Sequence, residues 1–147
     1  MDDLALLAGM PSPETVRAAE AYLDTLPQVD LCTEMLVHGQ MAARWVSIPA
    51  GTHLTGALTL CDNLCVVVGD ITVTTDAGPR RLTGFNVLAA NAGAKRYGVA
   101  HADTVWLTVH HTRHTALADI EAEMTPEADR LQTRRQALER NACEVLA

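Results

Sequence analysis

Leu64-Cys65-Val66-Val67-Val68-Gly69-Asp70-Ile71-Thr72-Val73 follows Ile48-Pro49-Ala50-Gly51-Thr52-His53-Leu54-Thr55-Gly56 and precedes Leu82-Thr83-Gly84-Phe85-Asn86-Val87. Each is a short run of β-branched and apolar residues cut by glycine, proline or an acid-glycine pair, which is how strands and tight turns read. The same punctuation recurs at Cys61-Asp62-Asn63, Asp76-Ala77-Gly78-Pro79 and Asn91-Ala92-Gly93. Ile71 and Val73 alternate with Thr72 and Thr74, and Val105, Leu107 and Val109 alternate with Thr104, Trp106, Thr108 and His110. That period of two places successive side chains on opposite faces of a sheet. Many short strands at even spacing predict a mainly β, antiparallel sandwich or barrel over residues 29–112.

Outside this region the pattern turns helical. Ser12 offers an N-cap with Pro13 at the first helical position, and Val16, Ala19, Tyr22, Leu23 and Leu26 follow at helical spacing, so a helix is predicted from Pro13 to Leu26 within an N-terminal segment, 1–28. In the C-terminal segment, 113–147, Thr115 is read as the cap of a helix through Met124, and Thr125-Pro126 as the start of another ending near Leu146. On that second helix Met124, Ala128, Leu131, Arg135, Leu138, Ala142 and Val145 form a heptad-like stripe. The stripe either packs on its own sheet or docks on another subunit. Arg135 in its middle suits an interface that offers a carboxylate.

With 147 residues the chain is expected to form a single core. Phe, Trp and Tyr make up only 3% of it, so that core is aliphatic and stacking on nucleic-acid bases is poorly supported. Acidity is concentrated early: Asp2, Asp3, Glu14, Glu20, Asp24, Asp30 and Glu34 stand against Arg17 alone in residues 1–34. From Gln40 to Thr115 the bases Arg44, Arg80, Arg81, Lys95, Arg96 and Arg113 outnumber Asp62, Asp70, Asp76 and Asp103. Such segregation suits complementary docking, or simply a solvated acidic helix. Asp2-Asp3 is the opposite of a signal peptide's basic start, and no apolar run approaches a bilayer span, so neither secretion nor membrane insertion is expected. Cys32, Cys61, Cys65 and Cys143 are read as reduced thiols, lacking the paired spacing of a zinc site.

The order of a proline-glycine turn, two strands, a glycine-acid turn and a later glycine-rich loop over Arg44 to Val109 resembles the cupin family of small β-barrels and jelly rolls. Asp103-Thr104-Val105-Trp106 followed by Val109-His110 is similar to the closing strand of cupin-like proteins encoded by tailed bacteriophages. Cupins hold a metal ion through a His-x-His pair and a Glu after one glycine turn, and a further His after a second turn. Imidazoles and a carboxylate aimed into the barrel mouth leave coordination positions open for substrate. Aligning the turns puts Ala57, Thr59, Asn63 and Arg96 at those four ligand positions. None of them is a cupin ligand, and a guanidinium repels a metal cation. No metal and no other cofactor is therefore expected.

Other groups are weaker candidates. Lys95 and Arg96 are read either as an anion or partner-carboxylate site or as ordinary surface bases. His110 and His111 face opposite sides of a strand, so the group His101, His110, His111 and His114 is not expected to converge on a metal. Trp45 and Trp106 are read either as outward-facing contact residues or as core fillers. The resemblance implies a non-enzymatic virion component, most concretely a capsid cement or decoration protein. It would act as a homodimer on the major capsid protein or another virion protein, with no catalytic residues and no direct nucleic-acid or membrane contact. Its location would be the capsid surface, after assembly in the host cytoplasm. Trp45, Trp106, Lys95, Arg96, Leu131, Arg135 and Leu138 are the expected docking residues. The contrasting expectation is a cupin-class metal enzyme or small-ligand binder with a site relocated to Lys95, Arg96, Asp62 or His53.

Overall fold

The computed structural model describes residues 12–131. Helix α1 (Pro13–Leu23) is followed by seven strands, β1 (Cys32–His38), β2 (Met41–Ile48), β3 (His53–Thr55), β4 (Asn63–Val73), β5 (Arg80–Ala90), β6 (Tyr97–Ala100) and β7 (Thr104–His111), then by helix α2 (Leu117–Met124) and a 3-10 turn, Ala128–Arg130. The mainly β, antiparallel architecture is the one expected.

Every strand pairing is antiparallel. Strand β4 organises the sheet: one edge pairs with β5 along its whole length, from Asn63 opposite Ala90 to Val73 opposite Arg80. Its other edge pairs with β7 over Leu64–Val68 and then with β6 over Ile71–Val73. Gly69 marks the change of partner. Its φ of +143° favours glycine, and a Cβ there would lie 2.7 Å from both the Asp103 carbonyl oxygen and the Thr104 Cα. The Thr104 hydroxyl accepts from the Asp70 N–H at 3.1 Å, closing the junction. Strands β2 and β1 extend the sheet beyond β7, and β3 extends it beyond β6.

The sheet curls, so that residues of all seven strands line one cavity. On its inner face Ile48, Cys65, Val67, Ile71, Val73, Leu82 and Ala100 form the main core. Val16 of α1 packs behind Tyr97 and Val99 of β6, and Ile120 of α2 packs on Met35 and Ala42 of β1 and β2.

The helices depart from expectation at their ends. Ser12 caps α1 as predicted, and the Thr15 hydroxyl reciprocates to the Ser12 N–H. The helix stops at Leu23 rather than Leu26. Pro27 disfavours helical backbone at the residue before it, and the chain tightens through Thr25 N–H to Tyr22 O and Leu26 N–H to Leu23 O bonds, both 3.0 Å. Helix α2 is capped at Ala116 without a side-chain bond, so Thr115 is not its cap. The helix expected from Pro126 is replaced over 128–130 by the single 3-10 turn, where Glu127 and Arg130 are held by ion pairs to Lys95 and Asp24. Its continuation toward Leu146, with Arg135 and Leu138, lies outside the described residues.

Candidate functional site

The cavity enclosed by the curl has a volume of about 1280 Å³ and opens beside α1 and the 127–131 segment. That exceeds the roughly 300–1,000 Å³ typical of small-molecule sites. Ala57, Thr59, Asn63 and Arg96, far apart in sequence, all line it. Asn63 donates to the Cys61 carbonyl at 3.1 Å and accepts from the Cys65 thiol at 3.3 Å. The Thr59 hydroxyl makes a long bond, 3.4 Å, to the Ala94 carbonyl. Arg96 donates from Nη1 to the Thr74 carbonyl at 3.1 Å, and the residue borders both this cavity and a smaller polar one that Thr74 also lines.

These donors do not fit a cupin metal. Alanine has no ligand atom, Asn63 is engaged with two cysteines, and Arg96 brings a positive charge to the same wall. Among the described residues no three His, Cys, Asp or Glu side chains gather in a metal-holding group. Cys65 and Cys61 both have thiols pushed up by burial, the opposite of what an activated nucleophile needs.

Lys95 is not a surface base. Its side chain is fully buried, and Nζ donates to Glu20 Oε2 at 2.8 Å, the Gly56 carbonyl at 2.9 Å and Glu127 Oε2 at 3.0 Å. It joins α1, the β3–β4 loop and the 127–131 segment, with every ammonium proton engaged, so it is unavailable to a partner. Burial works against the Glu127 carboxylate. The Leu58 N–H, the Lys95 bond and the charges of Lys95 and Arg17 outweigh it and hold the group below its usual range. Arg130 completes the cluster through Asp24, at 2.8 and 3.1 Å.

The remaining candidates separate. Trp106, for which the sequence leaves both an outward and an inward position open, lines the cavity, because Thr104, Trp106, Thr108 and His110 occupy the inner phase of β7. Trp45 lies on the outer phase of β2, opposite Leu107. Leu131 sits at the cavity mouth. Asp62 is exposed and accepts from the Ala92 N–H at 2.8 Å, which makes it a loop tie outside the cavity. His53 is exposed and shares a 2.8 Å hydrogen bond with the Tyr97 hydroxyl. His110 and His114 approach one carboxylate, Glu123, at 3.6 and 3.4 Å, while His101 bonds the Thr72 hydroxyl at the far end of the sheet.

Sequence reasoning missed Arg44. It lines the cavity, and burial pushes its guanidinium down to about 10 against the opposing charge of the fully buried Glu121 on α2. The signal was available: Arg44 is in phase with Ala42, Val46 and Ile48 on one face of β2.

The opposite face of the sheet is unlike the cavity wall. Register aligns Phe85, Val68, Val105 and Ser47 in one row across β5, β4, β7 and β2. A second row runs Val87, Val66, Leu107, Trp45 and Glu34, and a third Ala89, Leu64, Val109, Ala43 and Leu36. Phe85, the single phenylalanine of the chain, is 71% exposed, Val87 60% and Leu64 53%.

No family model matches the sequence, and no curated protein matches it. Among solved structures the chain is similar to a cupin superfamily protein from Desulfitobacterium hafniense, at 16% identity over 63% of this chain and 86% of that one, with a TM-score of 0.49. It is also similar to KdgF from a Halomonas species, at 19% identity over 60% and 87% of the two chains, TM-score 0.48. A cupin domain from Bordetella pertussis matches at 12% identity over 59% and 98%, TM-score 0.47. These partial likenesses concern architecture, and nothing about activity, cofactor or partner follows from them.

Proposed function

We propose that this chain is a non-enzymatic assembly protein that pairs with a second copy of itself through the outer face of the sheet. The observation that carries the reading is the three-row apolar face on β1, β2, β7, β4 and β5. At strand spacings of about 4.8 Å and same-face spacings of about 6.8 Å it covers roughly 500 Å² per copy. That is the scale at which an exposed apolar patch signals a contact, and two such patches bury close to the 1,000 Å² of a specific interface. Glu34 is the only charged residue in the three rows and lies at the β1 end, so a two-fold apposition meets no like charges at its centre.

The cupin-like, phage-like sequence pattern gives this assembly role its most concrete form: a decoration dimer on a virus capsid, where two copies held together engage two equivalent sites of a symmetric shell. The replaced ligand positions Ala57, Thr59, Asn63 and Arg96 favour it over metal-dependent catalysis. Sedimentation velocity of the wild type and of Phe85→Asp/Val87→Asp tests the pairing. A dimer that becomes a monomer with unchanged melting temperature is expected; a monomeric wild type, or a variant that stays dimeric, overturns it. For the virion role, mass spectrometry of density-banded particles from the encoding virus should find the chain at stoichiometric copy number. Its absence from such particles would remove that role.

A further inference from the structure

We infer that the internal cavity is a binding site for a small organic carboxylate with an apolar body, held at its charged end by Arg96. It lies on the opposite face of the sheet from the proposed dimer contact and stands independently of it.

Charged groups face the cavity both at its mouth and along its wall. At the mouth, Glu20, Asp24 and Glu127 are matched by Lys95, Arg17 and Arg130 at 2.8 to 3.7 Å. Deeper in, the charge of Arg44 is set against that of Glu121. Arg96 has no carboxylate partner among the ion pairs of the described residues: the side-chain hydrogen bond it makes there is to a neutral carbonyl, Thr74 O. A guanidinium has five donor protons in a planar fork, and one of them satisfied by a carbonyl leaves a geometry suited to a carboxylate's two oxygens. Arg96 itself lines the cavity, on the inner phase of the sheet with Gly98 and Ala100. The walls beyond it are aliphatic and aromatic: Leu54 and Trp106 line the cavity, and the buried core residues Ile48, Ile71 and Val73 stand behind them. A cavity with an apolar body and one cationic end selects an amphipathic acid over a neutral molecule of equal size.

The two tryptophans make the site directly readable, because Trp106 lines the cavity and Trp45 lies on the outer face. In Trp45→Phe protein, Trp106 is the sole tryptophan, and 8-bromooctanoate, whose bromine quenches indole only at contact, should quench it saturably, with octanoate relieving the quench. The neutral 8-bromooctan-1-ol should need a concentration at least about tenfold higher. Arg96→Gln should erase that acid-over-alcohol preference, and Arg96→Lys should retain part of it. Equal half-saturation for acid and alcohol in Trp45→Phe protein overturns the proposal. So does an absence of saturable quenching, or saturable quenching only in Trp106→Phe protein, where Trp45 alone remains. The acid–alcohol comparison needs no change at Arg96, so it decides the matter even if the Arg96 variants fail to fold.

Discussion

The two faces of one sheet differ less in polarity than the usual rule allows. The face turned inward carries Arg44, Asn63, Thr108 and His110 among its aliphatic residues, whereas the face turned to solvent carries three nearly unbroken rows of Val, Leu, Ala, Trp and Phe. Apolar alternation therefore reports that a sheet has two faces without reporting which is inside. The inner face holds both a packed aliphatic core and, beside it, an open cavity framed by α1 and the 127–131 segment.

The largest test of that contrast removes the tie. Lys95→Met leaves Glu20 and Glu127 facing each other without their shared cation, and breaking a buried ionic group in this way costs about 3–5 kcal/mol. Urea denaturation should show a loss of that order, and a change under about 1 kcal/mol would mean the cover does not depend on it. Next comes a matched pair, one residue from each face. Ile71→Ala empties volume in the inner core and should cost about 2–5 kcal/mol. Leu107→Ala on the outer face should cost roughly 1 kcal/mol, because its side chain is only half-buried. Equal losses in denaturation midpoints at constant m-value would erase the distinction between the faces.

The smallest effect is in pH. Burial holds the imidazole of His110 below its ordinary value; the charge of His111 adds to this, and that of Glu123 opposes it. The unfolded chain therefore binds the proton more readily than the folded one. The stability linked to this residue is complete above the ordinary histidine value of 6.5, shrinks as pH falls below it, and levels off once the folded-state value is passed. Melting temperatures measured from pH 7.5 to 5 should fall more steeply in the wild type than in His110→Gln, and parallel curves would show that His110 is not the group responsible. Glu127 has its own window: its contribution is present above the usual carboxylate value and is lost as pH drops through the lower folded one.

Much of the architecture was legible because it depends on neighbours in sequence. Ser12-Pro13 marks the start of α1, and the turns at 49–51, 76–79 and 91–93 announce themselves, whereas Gly69-Asp70 and Gly84, which read as turns, lie inside the continuous strands β4 and β5. The four aligned positions 57, 59, 63 and 96 do line one cavity. What was illegible depends on residues far apart. Lys95 looks like any surface base until Glu20, 75 positions earlier, and Glu127, 32 positions later, are brought to it. The side that Trp106 takes is open in the sequence because Val105, Leu107 and Val109 are the more apolar phase of β7. The helical reading of 126–131 followed local propensity, which the long-range pairs of Glu127 and Arg130 override.

The Lys95 tie also has a consequence for how the molecule opens. One ammonium group bonds a helix before the first strand and a segment after the last, and the pairs Arg17–Glu127, Arg130–Glu20 and Arg130–Asp24 join the two directly, so neither can detach without breaking the other's ion pairs. Fraying, which normally begins independently at each end of a domain, is thereby converted into one joint event, and the mouth of the cavity either stays framed on both sides or loses both sides together.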